Sequence, residues 1–190
     1  FQEPLTVPGV VFAPDANPYR PHFESLQSHL EYLNHIIEQE GGRNKVAAFL
    51  LEPIVGSNGI IVPPDGYLEG VRELCNRWDL LMIVDETMTG MGRTGKWLAI
   101  EHWDVVPDII IMGKALGAYC PLAATILSEK VARSFDHHLF GHGQSYSGHA
   151  LACAGALAAI KVLTEDGLLE QTQEMGAYLG QRLGQLGEKF

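Results

Sequence analysis

The sequence predicts an α/β fold, a mostly parallel sheet flanked by helices. Short continuous apolar runs (VAAFLL, LLMIV, IIIM, PLAATIL) alternate with segments whose apolar residues recur at three- and four-residue steps. The first three runs each end on an ionisable residue, Glu52, Asp85 and Lys114. Neither an internal repeat nor a low-complexity linker interrupts the pattern.

Phe1–Pro21 is proline-rich and lacks periodicity, so it reads as an extended lead-in; its opening on Phe1 rather than Met points to a processed or partial chain. From His22 to Glu40 the residues Phe23, Leu26, Leu30, Leu33, Ile36 and Ile37 mark an amphipathic helix stopped by Gly41-Gly42. KVAAFLLE follows as a strand expected to be buried on both faces, then a Gly/Pro-punctuated loop, PIVGSNGIIVPPDG. YLEGVRELCNRW predicts a helix, LLMIVDE and PDIIIMGK a second and a third strand, and PLAATILS a fourth. HALACAGALAAIKVL is a helix of small residues, and LLEQTQEMGAYLGQRLGQLGEKF a longer, glycine-interrupted one.

Several function classes are disfavoured early. A net charge of −10 with pI near 5.2 lacks the basic face of a nucleic-acid binder. The three cysteines, Cys75, Cys120 and Cys153, form no C-x-x-C pair; a reducing compartment, the cytoplasm, is expected. No apolar run approaches the length of a membrane span and no signal-peptide pattern is read. His137, His138, His142 and His149 lack regular ligand spacing and read as a polar loop, so no metal site is expected.

IVDETMTGMGRTGKW poses the sharper question. Gly90, Gly92 and Gly95 spell G-x-G-x-x-G, and Gly90 to Lys96 is most of a P-loop. A dinucleotide turn needs its first glycine tight against the strand end and its third opening a helix. Here the strand ends at Asp85, well short of Gly90, and Gly95 leads into KWLAIEHWDVVPD, which carries two tryptophans and a proline. Trp97 stands where a P-loop needs a hydroxyl for magnesium. Both nucleotide readings fail on context.

Lys114 closes an apolar run. A lysine there must reach for water or lie in a dry site with a depressed pKa, and a dry neutral amine is what Schiff-base chemistry demands. Gly113 and Gly117 leave room for a flat ligand. Asp85, ending the neighbouring run, needs a cationic partner, and a protonated pyridine nitrogen would serve, keeping the ring an electron sink. Lysine and aspartate on adjacent strand ends make the constellation for pyridoxal 5'-phosphate.

FLLEPIVGSNGIIVPPDGYLEGVRELCNRWDLLMIVDETMTGMGRTGKW, then PDIIIMGKAL, then GHGQSYSGHALACAGALAAI resemble the class III (omega) aminotransferases of the fold-type I pyridoxal-phosphate enzymes, from about Tyr19 to Leu163. The resemblance implies that Lys114 forms the Schiff base and shuttles the proton between substrate and cofactor carbons. It further implies that Asp85 pairs with the pyridine nitrogen and that Thr87 lies against the ring face. Met88 falls where many members carry a Gln near the ring hydroxyl, so that hydrogen bond is expected to be missing. Ser145 matches a Ser/Thr that reaches the cofactor phosphate of a neighbouring subunit, which implies a homodimer with shared sites. GMGRTG resembles the family's loop after the aspartate, with Arg93 helping to fix it.

The implied fold is part of the cofactor-binding large domain over residues 1–163, with 164–190 a helical segment leading toward the C-terminal small domain. The implied activity is transamination between an amino donor and a 2-oxo acid. Ser57, where members using 2-oxoglutarate often carry Glu after EP-x-x-G, favours an omega-amino acid or amine donor paired with pyruvate. KALGAYCPLAA is one residue shorter than the family's usual segment, which is expected to alter the pocket wall. No Ser-Gly-Ser/Thr-x-Ala-x-Glu phosphate loop and no downstream carboxylate-gripping Arg are read; the expectation is the central part of a larger enzyme, and that this piece alone binds cofactor poorly. The alternatives are an enzyme resembling glutamate-1-semialdehyde aminomutases, which share the Met but usually lack GRTG, and a non-catalytic fragment or pseudo-enzyme.

Overall fold

In the computed structural model, which describes residues 7–188, a four-stranded sheet runs in the order β1 (Ala48–Leu51), β2 (Leu81–Asp85), β3 (Ile109–Met112), β4 (Ala124–Leu127). The first three strands are parallel, with Leu51 beside Val84 and Asp85 beside Ile111; β4 is antiparallel to β3. The helices are α1 (Leu26–Gln39), α2 (Tyr67–Trp78), α3 (Glu129–Ala132), α4 (Ala150–Glu165) and α5 (Leu168–Gly187). The opening Phe1 and the last two residues of the segment expected as the final helix lie outside the described residues.

Helix α1 starts later than its periodicity suggests. Ser25 and Ser28 cap it reciprocally, each hydroxyl accepting the other's backbone N–H at 3.1 Å. Phe23 is left outside and stacks on His29 with ring centroids 4.5 Å apart. In-register residues of neighbouring strands share a face. Phe49, Leu51, Met82 and Val84 pack with Leu33 and Ile37 of α1 and with Leu68, Val71 and Leu74 of α2. Helix α4 packs on the turn after β3, and Ala156 joins Met91, Met112 and Leu116 in a second core.

The expectation that the first strand is buried on both faces is corrected. Leu50 is 61% exposed, and Ile83, Asp85 and Ile111 on the same face are only half-buried. The reason is one-sided packing: α1 and α2 cover the Phe49–Met82 face, and the described helices leave the other open. Among the described residues no helix is long and apolar enough to cross a membrane.

At the amino-terminal edge of the sheet, Asp108 joins three strands. Its carboxylate accepts Arg72 Nη1 at 2.7 Å and the Met82 N–H at 2.8 Å, and its carbonyl accepts the Ser128 N–H. Burial works to raise the Asp108 pKa, but the Met82 N–H and the Arg72 guanidinium outweigh it and hold the carboxyl below the usual range. A depressed folded-state pKa gives stability that is fully present above the ordinary carboxylate pKa and is lost as pH falls through the lowered value. Asp108→Asn is therefore expected to destabilise the full-length protein at neutral pH by about 3 kcal/mol, because it leaves Arg72 as an uncompensated charge. In urea unfolding the gap to wild type should narrow below about pH 4, the ordinary carboxylate range; a constant gap from neutral to acid pH contradicts the assignment.

Candidate active site

The carboxyl ends of β1, β2 and β3 bring Glu52, Asp85 and Lys114 to one edge of the sheet, where ligands collect in open α/β sheets. Asp85 is the last residue of β2, on the half-open face, and its Oδ1 accepts the Thr87 N–H at 2.9 Å. Thr87 leans onto the next strand: a Cβ at Gly113 would stand 3.2 Å from Thr87 Cγ2, so a side chain there would displace Thr87 by a few tenths of an ångström. The next residue is Lys114. The preceding Gly113 is extended, whereas Lys114 itself has φ +43°, a conformation costly for a residue with a side chain. This strained residue opens the 3-10 turn Lys114–Gly117.

Of the two positions open to a lysine closing an apolar run, Lys114 takes the exposed one among the described residues. The strand ends at Met112 and the turn projects past the covered part of the sheet, so the described residues put no apolar roof over the amine. The short segment after it is closed by two tight turns, Ala118 N–H to Ala115 and Cys120 N–H to Gly117, with Ala118 at φ +52° and Tyr119 fully exposed.

On the β1 side, Glu52 Oε2 accepts the Gly56 N–H at 3.0 Å. Met88 lies over Gly56, where a Cβ would meet Met88 Cε at 2.9 Å. The loop is pinned further on by paired Val55 and Ile61, leaving Ser57 exposed at its tip. Thus Asp85, Thr87 and Met88 share the turn after β2, with Thr87 beside Gly113, the residue before Lys114. Ser145 is not among them: it sits in an exposed turn, where the Ser147 N–H bonds to Gln144. His137, His138, His142 and His149 are exposed as well, and among the described residues no cluster of metal-ligating side chains forms.

The glycines of GMGRTG serve packing. The N–H groups of Gly90, Gly92 and Gly95 are bonded to Glu86, Trp97 and Gly92 carbonyls, so none is free to cradle a phosphate. Gly95, at φ +84°, accepts Gln173 Nε2 of α5 at 2.7 Å, and a Cβ there would collide with Gln173 Cγ at 2.5 Å. At Gly92, φ +84°, a Cβ would stand 3.1 Å from Leu169 Cδ2, with Leu163 in ordinary contact beyond.

Sequence reasoning missed Glu86. It is 1% exposed, with Oε1 accepting the Ile100 N–H at 2.8 Å and Oε2 accepting the Thr89 hydroxyl. The legible signal was strand alternation: if Asp85 faces one side, the next carboxylate must turn into the core, and Thr89 stands in place to receive it.

A family model described as aminotransferase class-III matches residues 2–190. Mitochondrial ornithine aminotransferase of Rattus norvegicus is 42% identical over 171 residues, 89% of this chain and 38% of that protein. A taurine:2-oxoglutarate aminotransferase from Bifidobacterium kashiwanohense, solved with PLP and glutamate, is 41% identical with a TM-score of 0.82, covering 86% of this chain and 37% of that one. An S-selective transaminase from Arthrobacter sp., solved with alanine bound, is 34% identical with a TM-score of 0.86, over 93% of this chain and 39% of that one. The chain thus spans less than half the length of each of these relatives. The fold is that of the fold-type I transaminases. Sequence and structure agree that the chain belongs to the class III aminotransferases, which work through pyridoxal phosphate.

Proposed function

We propose that the enzyme containing this chain transfers an amino group between an omega-amino acid or amine and a 2-oxo acid, with pyruvate favoured over 2-oxoglutarate. The observation that carries the reading is the placement of Asp85 and Lys114 at adjacent strand ends, joined by Thr87 seated on Gly113. These residues fit pyridoxal phosphate: an anion for the ring nitrogen, an amine on the neighbouring strand, and a glycine floor that a Cβ would fill. When bound, the cofactor supplies an electron sink for the carbon that loses its proton.

The chain's own residues then have distinct tasks. Lys114 Nζ would be the group that holds the cofactor and, as a free amine, the base that takes up and gives back the proton of the substrate carbon. The chain leaves the strand at Lys114, whose φ of +43° opens the turn that follows. Asp85 would pair with the ring nitrogen and favour its protonated form; the Thr87 N–H already occupies Oδ1 and leaves Oδ2 for that contact. Thr87 supports one ring face. Met88, with no hydrogen-bonding hydrogen, supplies an apolar contact where a Gln would bond the ring hydroxyl.

Ser145 is assigned to the cofactor phosphate of a neighbouring subunit, which makes the working unit a homodimer; its exposed loop leaves it available for that contact. Residues 1–163 are assigned to the cofactor-binding large domain and 164–190 to the passage toward a C-terminal small domain. Three free thiols fit a cytoplasmic location. The pyruvate preference draws on Ser57 and on the alanine bound to the Arthrobacter enzyme, since alanine is the aminated form of pyruvate. A screen of taurine, β-alanine, aminobutyrate and simple amines tests it in the full-length enzyme. The expected kcat/KM for pyruvate exceeds that for 2-oxoglutarate by about tenfold, within the range one pocket contact can give. A preference for 2-oxoglutarate with every active donor refutes the acceptor assignment.

A further inference from the structure

We infer that Glu86 is a positioning residue for the site proposed above, its buried carboxylate holding the turn on which Asp85 and Thr87 stand. The inference rests on that reading of the site.

Every polar group of Glu86 is engaged. Its N–H donates to the Ile111 carbonyl of β3 at 2.8 Å, and its own carbonyl accepts the Gly90 N–H at 2.9 Å. One carboxylate oxygen accepts the Ile100 N–H, from the 3-10 turn Ala99–Trp103, and the other the Thr89 hydroxyl. One residue therefore ties β2, β3, the Thr87–Gly90 turn and the Ala99–Trp103 turn together. The turn it closes is tight, since a Cβ at Gly90 would stand 2.8 Å from the Glu86 carbonyl oxygen.

Stability alone gives no reason for a carboxylate here. No cation pairs with Glu86 among the described ion pairs, and a buried charge without one is costly compared with a well-packed apolar side chain. What an anion supplies is two strong acceptor oxygens at fixed directions. The consequence is geometric: Thr87 N–H to Asp85 Oδ1, and Thr87 Cγ2 against Gly113, both hang on the turn that Glu86 clamps. If the clamp loosens, the carboxylate facing the ring nitrogen and the shelf beside Lys114 move together.

The test uses the full-length holoenzyme with Glu86→Gln and Thr89→Val, singly and combined. Glu86→Gln keeps the volume and an acceptor for Ile100 but loses the second anionic oxygen. Thr89→Val keeps the shape and removes the hydroxyl, and it reports on the same clamp should the first variant fold poorly. Each is expected to lower kcat about 10- to 100-fold, the effect of a small misplacement of reacting groups, with little change in KM for the amino donor. Each should also shift the pH midpoint of the bound cofactor's visible absorption and speed hydrogen exchange at the Thr87 amide. The double variant should be no worse than the poorer single one. Overturning results are a lowered urea midpoint with kcat, spectral midpoint and Thr87 exchange all as in wild type, or losses that simply add. Asp85→Asn in parallel separates the two claims. Near-wild-type kinetics for Asp85→Asn would sink the site assignment and this inference with it. An impaired Asp85→Asn beside an unaffected Glu86→Gln would sink this inference alone.

Discussion

Lys114→Ala in the full-length enzyme is expected to reduce kcat by at least about 10²–10⁴-fold, the range of a positioned acid–base group. Lys114 is assigned two tasks, the covalent hold on the cofactor and the proton transfer, so neither Ala nor Arg can substitute. The loss should fall on kcat rather than on folding. The side chain is exposed and takes part in no described ion pair, so its removal leaves the cores around Leu68 and Met112 intact. Alanine at φ +43° keeps the same backbone cost, which removes strain relief as a competing effect. An added primary amine should restore part of the proton transfer. Wild-type turnover by the alanine variant contradicts the assignment.

Asp85→Asn is expected to cost roughly 10²–10³-fold in kcat, as for removal of one preorganised electrostatic partner. The substitution is nearly isosteric, and its carbonyl oxygen can still accept the Thr87 N–H, so the turn survives. What disappears is the charge proposed to keep the ring nitrogen protonated. Stopped-flow absorbance should place the loss in the proton-transfer step, with cofactor still bound. Uniform weakening of cofactor binding with an unchanged single-turnover rate would instead make Asp85 an anchor alone.

Much of the sheet could be read from the sequence because buried runs and strand ends are local features. Helix α2 runs over Tyr67–Trp78, the segment that its periodicity marks, between Gly66 and an Asp79 C-cap at positive φ. Other features depend on partners elsewhere in the chain. PLAATIL has the same composition whether it pairs parallel or antiparallel. Its direction is decided by the short Gly113–Ala123 link, which holds a turn rather than a crossover helix. The open face at Leu50 depends on what packs there, which an apolar run cannot report. At the site, Asp85 and Lys114 were legible as strand-end charges, and the false phosphate signature of GMGRTG resolved into contacts with Gln173, Leu163 and Leu169. For Lys114 an apolar run allows both an exposed and a dry amine, and the choice follows from where the strand stops relative to its cover.

The central claim is that Lys114 is the residue covalently joined to the cofactor. Borohydride reduction of the full-length holoenzyme, followed by protease digestion and peptide mass mapping, tests it most directly. The account predicts a single pyridoxyl label on the peptide carrying Lys114, lost in Lys114→Ala. A label on Lys45 or Lys96, with Lys114 unmodified, would contradict it.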